Sequence, residues 1–137
     1  MFQSYRGSVQ DVTDSYELSK QLAYQANHDA LTGLVNRRKF ELRVKRVLDA
    51  VHERGGEHAL CYLDLDQFKV INDTCGHVAG DELLRQLATV LREQVPELDT
   101  VARLGGDEFG ILMERCPLIN ARVLGDALRN AVANFRL

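Results

Sequence analysis

Helix, strand, helix, hairpin, helix is the order in which this chain spaces its apolar residues. That order predicts an α/β sandwich, an α+β arrangement with a mixed central sheet flanked by helices. Three observations carry the prediction. A nearly unbroken apolar run, Ala59 to Leu65, reads as a central strand covered on both faces. Two more runs, Thr100-Val101-Ala102 and Ile111-Leu112-Met113, flank the turn Gly105-Gly106-Asp107-Glu108-Phe109 as a hairpin, because glycine pairs accept positive φ at little cost. Around them lie stretches with apolar residues three and four positions apart.

In order along the chain, Tyr5 to Asp14 predicts a short strand ending in a turn or helix cap. Ser15 to His28 predicts a helix with a narrow stripe of Leu18, Leu22 and Ala26, able to pack on the domain or to pair with a copy of itself. Residues 29–38 form a turn-rich lead into a second helix, whose buried face is Phe40, Val44, Val47, Leu48 and Val51 and whose end is Gly55-Gly56. After the Ala59–Leu65 strand, Gln67 to Cys75 is a short irregular segment with helical turns. His77 to Val95 is a third helix facing in through Leu83, Leu84, Leu87, Val90 and Leu91, closed by Pro96. The hairpin follows, then a last helix from Ile119 to Phe135 with Leu124, Ala127, Leu128, Ala131 and Phe135 inward. The expected sheet has three strands and lacks members that lie beyond residue 137.

The 137 residues make one domain with a real core, and the formal net charge of -3 offers no basic surface for nucleic acid or an anionic membrane. No run approaches a membrane span, and no signal segment opens the chain. The 3 cysteines show no CxxC spacing, and Cys61 reads as a buried small hydrophobe in a reduced, cytoplasmic setting.

Chemistry concentrates at two acidic tips. Asp64 and Asp66 alternate with Leu63 and Leu65, so both carboxylates share a face and the Leu65 carbonyl lies near the strand tip. The hairpin turn projects Asp107 and Glu108 from the sheet, where adjacent carboxylates repel unless a cation or donor joins them. Mg²⁺ takes hard oxygens, few protein ligands and substrate phosphates, which a carboxylate, a carbonyl and a second carboxylate would satisfy. The competing reading is that these acids solvate strand ends. Lys69 suits a phosphate or is a surface lysine. Asn72 suits a base edge or a turn, and Asp81 suits the paired N–H donors of guanine or a helix's first turns. His28 and His77 read as capping or packing residues, Asp29 and Asn36 as turn and cap residues, and Arg37 and Arg38 as solvating a helix start. No Walker-type loop or GxGxxG fingerprint is present.

Four motifs stand in order: His28 to Arg38, Asp64-Leu65-Asp66-Gln67-Phe68-Lys69-Val70-Ile71-Asn72-Asp73, Gly76-His77-Val78-Ala79-Gly80-Asp81, and Arg103-Leu104-Gly105-Gly106-Asp107-Glu108-Phe109. Together they resemble the GGDEF family of diguanylate cyclases. The resemblance implies a fold like nucleotidyl cyclases and polymerase palms. It implies an enzyme that joins two GTP molecules into cyclic di-GMP and releases pyrophosphate, with two domains face to face as a homodimer. By it, Asp64, the Leu65 carbonyl and Asp107 hold Mg²⁺ (or Mn²⁺) with Glu108 close by, and Asp107 helps remove the 3′-hydroxyl proton. Lys69 faces the phosphates beside Gly105 and Gly106. Asn72 and Asp81 read guanine in a pocket shaped by Leu31 and Phe68.

The chain departs from the family twice. The RxxD product-inhibition site is here Pro96-Glu97-Leu98-Asp99, so the arginine fork is missing. The family's further strand and closing basic helix have no counterpart, which leads us to expect reduced stability and poor turnover. Residues 1–14 look like the closing strand of a PAS-type sensor, 15–28 like its linker helix setting dimer geometry, and 29–137 like the GGDEF domain. The alternative reading is a non-catalytic GTP-binding module that regulates a neighbour such as a cyclic di-GMP phosphodiesterase. A pure product receptor is disfavoured by Pro96. The domain is expected in the cytoplasm, in a parent protein free to be membrane-anchored.

Overall fold

A computed structural model of the chain describes residues 2–66 and 68–134, with side chains from Asp14 onward. The elements are α1 (Phe2–Asn27), β1 (Val35–Asn36), α2 (Arg37–Arg54), β2 (Ala59–Asp64), α3 (Phe68–Cys75), α4 (His77–Gln94), β3 (Thr100–Gly105), β4 (Glu108–Met113) and α5 (Leu118–Ala133). Phe135, expected on the inward face of α5, lies outside the described residues.

The sheet is mixed, as expected, but has four strands among the described residues, in the order β1-β3-β4-β2. Two-residue β1 runs parallel to β3, pairing Val35 with Ala102 and Asn36 with Arg103, whereas β3–β4 and β2–β4 are antiparallel. A strand this short has no periodicity to detect, so only its partner reveals it.

Alternation along β3 and β4 feeds two cores. Val101, Phe109, Ile111 and Met113 join Leu84, Leu87 and Leu91 of α4 and Leu128 of α5 on one face. Ala102 and Leu112 meet Phe40 and Val47 of α2 on the other. Burying side chains of this size stabilises by roughly 1.5–3 kcal/mol each. Leu48 is 57 % exposed, not inward. At 100° per residue it sits about 80° round α2 from Phe40, while Val47 falls almost beneath it.

The Ala59–Leu65 run proves to be a sheet-edge strand among the described residues, not a central one. Cys61 and Leu63 pack toward the α4–α5 core, whereas Leu60 and Tyr62 stay largely open on the α2 side. An apolar run shows that a strand can be buried on both faces; pairing and helix placement decide whether it is. Burial does raise the Cys61 thiol pKa, as its place beside the core dictates.

The expected strand at Tyr5–Asp14 is instead the first half of α1. Once the Ser15–Asn27 helix exists, extending it upstream adds one hydrogen bond per residue without a new nucleus, while an isolated strand has nothing to pair with. Leu18 and Leu22 are exposed, so the stripe is not packed on the domain. The C-terminal end of α1 is tied down: Asn36 Nδ2 donates to the Ala26 carbonyl at 2.9 Å, and Arg38 donates to the Ala26 carbonyl at 3.3 Å and to Asn27 Oδ1 at 3.1 Å. Arg38 therefore caps the negative end of one helix and is no mere solvating charge at the start of another. Asn36 caps α2 as expected, its side chain accepting from the Lys39 N–H.

Candidate functional site

The register of β2 against β4 sets Asp64 opposite Glu108, with Leu63 opposite Phe109. The hairpin turn closes through Gly105 and Gly106, at φ 147° and 51°, values that a side chain would resist. It brings the Asp107 carbonyl to within 3.3 Å of the Leu65 N–H, so the end of β2 is stitched to the turn. The Asp107 carboxyl lies close enough to share a proton with Asp64, and this, with the nearby charges of Asp107, Glu108 and Asp66, holds the Asp64 pKa above the usual carboxylate value. A cavity of about 220 Å³ lined by Tyr62, Leu63, Asp64, Glu108 and Phe109 opens beside them. β2 stops at Asp64, leaving Asp66 exposed in the following turn.

Among the described residues no ready group of three His, Cys, Asp or Glu side chains stands arranged for a metal. Two mutually repelling carboxylates nevertheless fit Mg²⁺, which takes one or two carboxylates and completes its shell with waters and substrate phosphates.

Two arginines hold this corner, and reading the sequence did not assign them. Arg103 NH1 meets both Asp29 carboxylate oxygens, at 3.0 and 3.3 Å, and its Nε donates to the Gly106 carbonyl at 3.0 Å. Asp29 also accepts from the Thr32 N–H and hydroxyl at 2.9 and 2.8 Å. It is thus the turn residue expected and also a part-buried partner for the signature strand. Arg37, expected only to solvate a helix start, donates to the Leu104 carbonyl at 3.1 Å and lies 3.7 Å from the Glu108 carboxylate. The one available signal was Arg103 itself, the charged residue of a strand otherwise without charge. His28 behaves as a packing residue: its ring stacks on Tyr24, centroids 3.8 Å apart, and bonds the Tyr24 carbonyl.

The remaining candidates lie on α3 and α4, which pack against each other, and, for Leu31, in the turn before β1. Lys69 is exposed in the first turn of α3, and Asp81 is exposed on α4. Leu31 and Phe68 are half-buried against the α4–α5 core. Asn72 faces α4 with its amide oxygen buried.

The raised Asp64 pKa sets a pH dependence. The ordinary value is 3.8, so the folded chain binds this proton more tightly than the unfolded one. Its contribution is fully present below the ordinary value and is lost as pH rises through the raised one. At neutral pH the metal-free protein therefore carries unrelieved repulsion. Asp64→Asn is expected to raise the melting temperature slightly in chelator at pH 7 and to flatten the acidic limb of the stability profile. A lower melting temperature at pH 7 would contradict this.

A mixed sheet with two acidic strand ends meeting at one corner, backed by helices on both faces, defines a palm-like α/β domain of the nucleotidyl-cyclase kind. Residues 26–137 match the family model described as diguanylate cyclase, GGDEF domain, and the chain belongs to that family. It is 45% identical over 127 residues to the probable diguanylate cyclase DgcE of Escherichia coli K12, covering 93% of this chain and 12% of that protein. It is 44% identical to the diguanylate cyclase TpbB of Pseudomonas aeruginosa, covering 94% of this chain and 27% of that one. The chain spans about a quarter or less of the length of these two relatives. Among solved structures, the coiled coil and GGDEF domain of DgcB from Caulobacter crescentus, in complex with c-di-GMP, superposes with a TM-score of 0.88 at 30% identity, covering 96% of this chain and 69% of that one.

Proposed function

We propose that this domain condenses two GTP molecules into cyclic di-GMP as a pair of domains. The convergence of Asp64 and Asp107 at one corner of the sheet, from separate strand ends, carries the reading. Each 3′-oxygen bonds the α-phosphorus of the opposite GTP, the α–β phosphoanhydride breaks, pyrophosphate leaves, and Asp107 accepts the hydroxyl proton. Asp64, the Leu65 carbonyl and Asp107 would hold Mg²⁺ (or Mn²⁺), with Glu108 beside them, and the bound ion supplies electrostatic stabilisation of charge on the phosphates. Lys69 adds a point charge toward the phosphates where they run past Gly105 and Gly106. Asn72 and Asp81 read guanine between Leu31 and Phe68.

One domain presents one nucleotide, so the reaction needs a second copy, and the exposed Leu18–Leu22 stripe of α1 offers a surface on which two chains pair. An upstream sensor acting through α1 would set how the domains meet. No helix among the described residues is long and apolar enough to cross a membrane. The test is incubation with GTP and Mg²⁺: cyclic di-GMP and pyrophosphate in a 1:2 ratio support the reading, and GTP binding without product supports a regulatory module in its place.

Product inhibition through the Pro96–Asp99 stretch is expected to be weak or absent. Pro96 has no guanidinium, and Asp99 is already engaged, its carboxylate accepting from the Glu114 N–H at 3.1 Å. Initial rates should stay within about twofold as cyclic di-GMP is titrated to excess. Strong noncompetitive inhibition that disappears in Asp99→Asn would overturn this.

A further inference from the structure

Asn72 of α3 and Gly80 of α4 meet where the two helices pack. The Asn72 Oδ1 is buried and has no hydrogen-bond partner among the described residues. A buried amide oxygen left unpaired weakens a fold. Gly80 is buried in an ordinary helical conformation, hydrogen-bonding the Gly76 carbonyl at 3.2 Å. Glycine inside a helix is worse than alanine, and here no unusual φ calls for it. What it supplies is space. A Cβ at position 80 would overlap the Asn72 Oδ1, stand 3.0 Å from its Cγ and touch the Phe68 ring at 3.5 Å. The amide oxygen and its carbon meet that position, and the nitrogen is turned away from it.

Two unfavourable choices at one contact compensate each other only if the orientation of the amide matters. We infer that Gly80 is a positioning residue for nucleotide recognition: the slot left by its missing side chain seats the Asn72 oxygen and presents the amide nitrogen as a donor to an acceptor on the base. The oxygen fills the space a Cβ at position 80 would take and meets no hydrogen-bond donor among the described residues. The nitrogen then discriminates between bases by whether they present an acceptor or a donor at that edge, as guanine and adenine differ at position 6. This inference rests on the reading of Asn72 as a guanine-contacting residue.

A double-mutant cycle separates the two claims. The probe is a non-hydrolysable GTP analogue with Mg²⁺, compared with the matching ATP analogue, alongside thermal melts without nucleotide. Gly80→Ala is expected to weaken binding of the GTP analogue roughly tenfold, as Asn72→Ala does, and to narrow its preference over the ATP analogue. In Asn72→Ala/Gly80→Ala the second change should add less than twofold. The melts should change sign: Gly80→Ala lowers the melting temperature beside Asn72 but holds or raises it beside Ala, where the helix gains and nothing is displaced. Equal losses of melting temperature in both backgrounds, or fully additive affinity losses, would overturn the role of Gly80. Unchanged affinity in Asn72→Ala alone would remove the guanine reading, whatever the melts show. If Gly80→Ala fails to fold, a folded double variant still supports the seating of Asn72, and an unfolded one overturns it.

Discussion

Asp107→Ala is expected to cut cyclic di-GMP formation by about a thousandfold or more while leaving the fold intact. Removing one element of charge stabilisation in an active site costs about 10²–10³ in rate, and losing a proton acceptor costs a comparable factor. Asp107 is proposed to serve both ends. The fold should survive because the turn is set by the φ values of Gly105 and Gly106 and because the contact to Leu65 uses the Asp107 backbone carbonyl, which alanine retains. Removing the carboxylate also relieves Asp64, so the metal-free melting temperature should hold or rise. Glu108→Ala serves as the comparison. Its carboxylate is 54% exposed and reaches Arg37 at 3.7 Å, a pairing worth about 0–1 kcal/mol. Its rate loss should be smaller than that of Asp107→Ala. Product formation by Asp107→Ala within tenfold of the parent, measured by nucleotide chromatography at saturating GTP, would defeat the catalytic reading.

Arg103→Ala is expected to be the most destabilising single polar change at this corner. The Arg103–Asp29 pair is largely buried, 17% and 19% exposed at 3.0 Å, and the same guanidinium holds the Gly106 carbonyl. Removing one partner of a buried pair strands the other, costing about 3–5 kcal/mol when burial is complete. With this residual exposure about 3 kcal/mol is expected, a fall of roughly 10 °C for a domain of this size. Arg103→Lys should recover little, because one ammonium cannot serve Asp29 and the Gly106 carbonyl in the geometry of a fork. Arg129→Ala sets the contrast. Its pair with Asp126 is 79% and 69% exposed, and its loss should lie within about 0.5 kcal/mol. Product formation should fall in Arg103→Ala as well, since the released turn carries Asp107. A melting temperature within 2–3 °C of the parent, roughly 1 kcal/mol, would show that the pair holds nothing.

Much of this could be read directly from the residues. The hairpin was legible because glycines between two apolar runs leave few alternatives. The faces of α4 and α5 were legible because Leu83, Leu84, Leu87, Leu91 and Leu128 keep helical spacing. The acidic corner was legible in outline, since two acidic tips at strand ends point to a cation. β1 was not legible, because two residues carry no period, nor was the edge position of β2, because an apolar run does not name its neighbours. The stretch at Tyr5–Asp14 misled because it resembles the closing strand of a sensor, although Val9 and Val12 stand three apart as on a helix, and the helix downstream extended through it at little cost.

By itself the sequence determined what could be encoded locally: which segments coil or extend, where the chain turns, and which acids sit at strand tips. Only the tertiary structure decided what depends on distant partners. It set Asp64 against Asp107, gave Arg103 to Asp29 across 74 residues of chain, and pressed Gly80 onto Asn72. The physical reason is that spacing along a helix or strand follows from backbone geometry within a few residues, whereas such contacts arise only when packed elements bring remote side chains together.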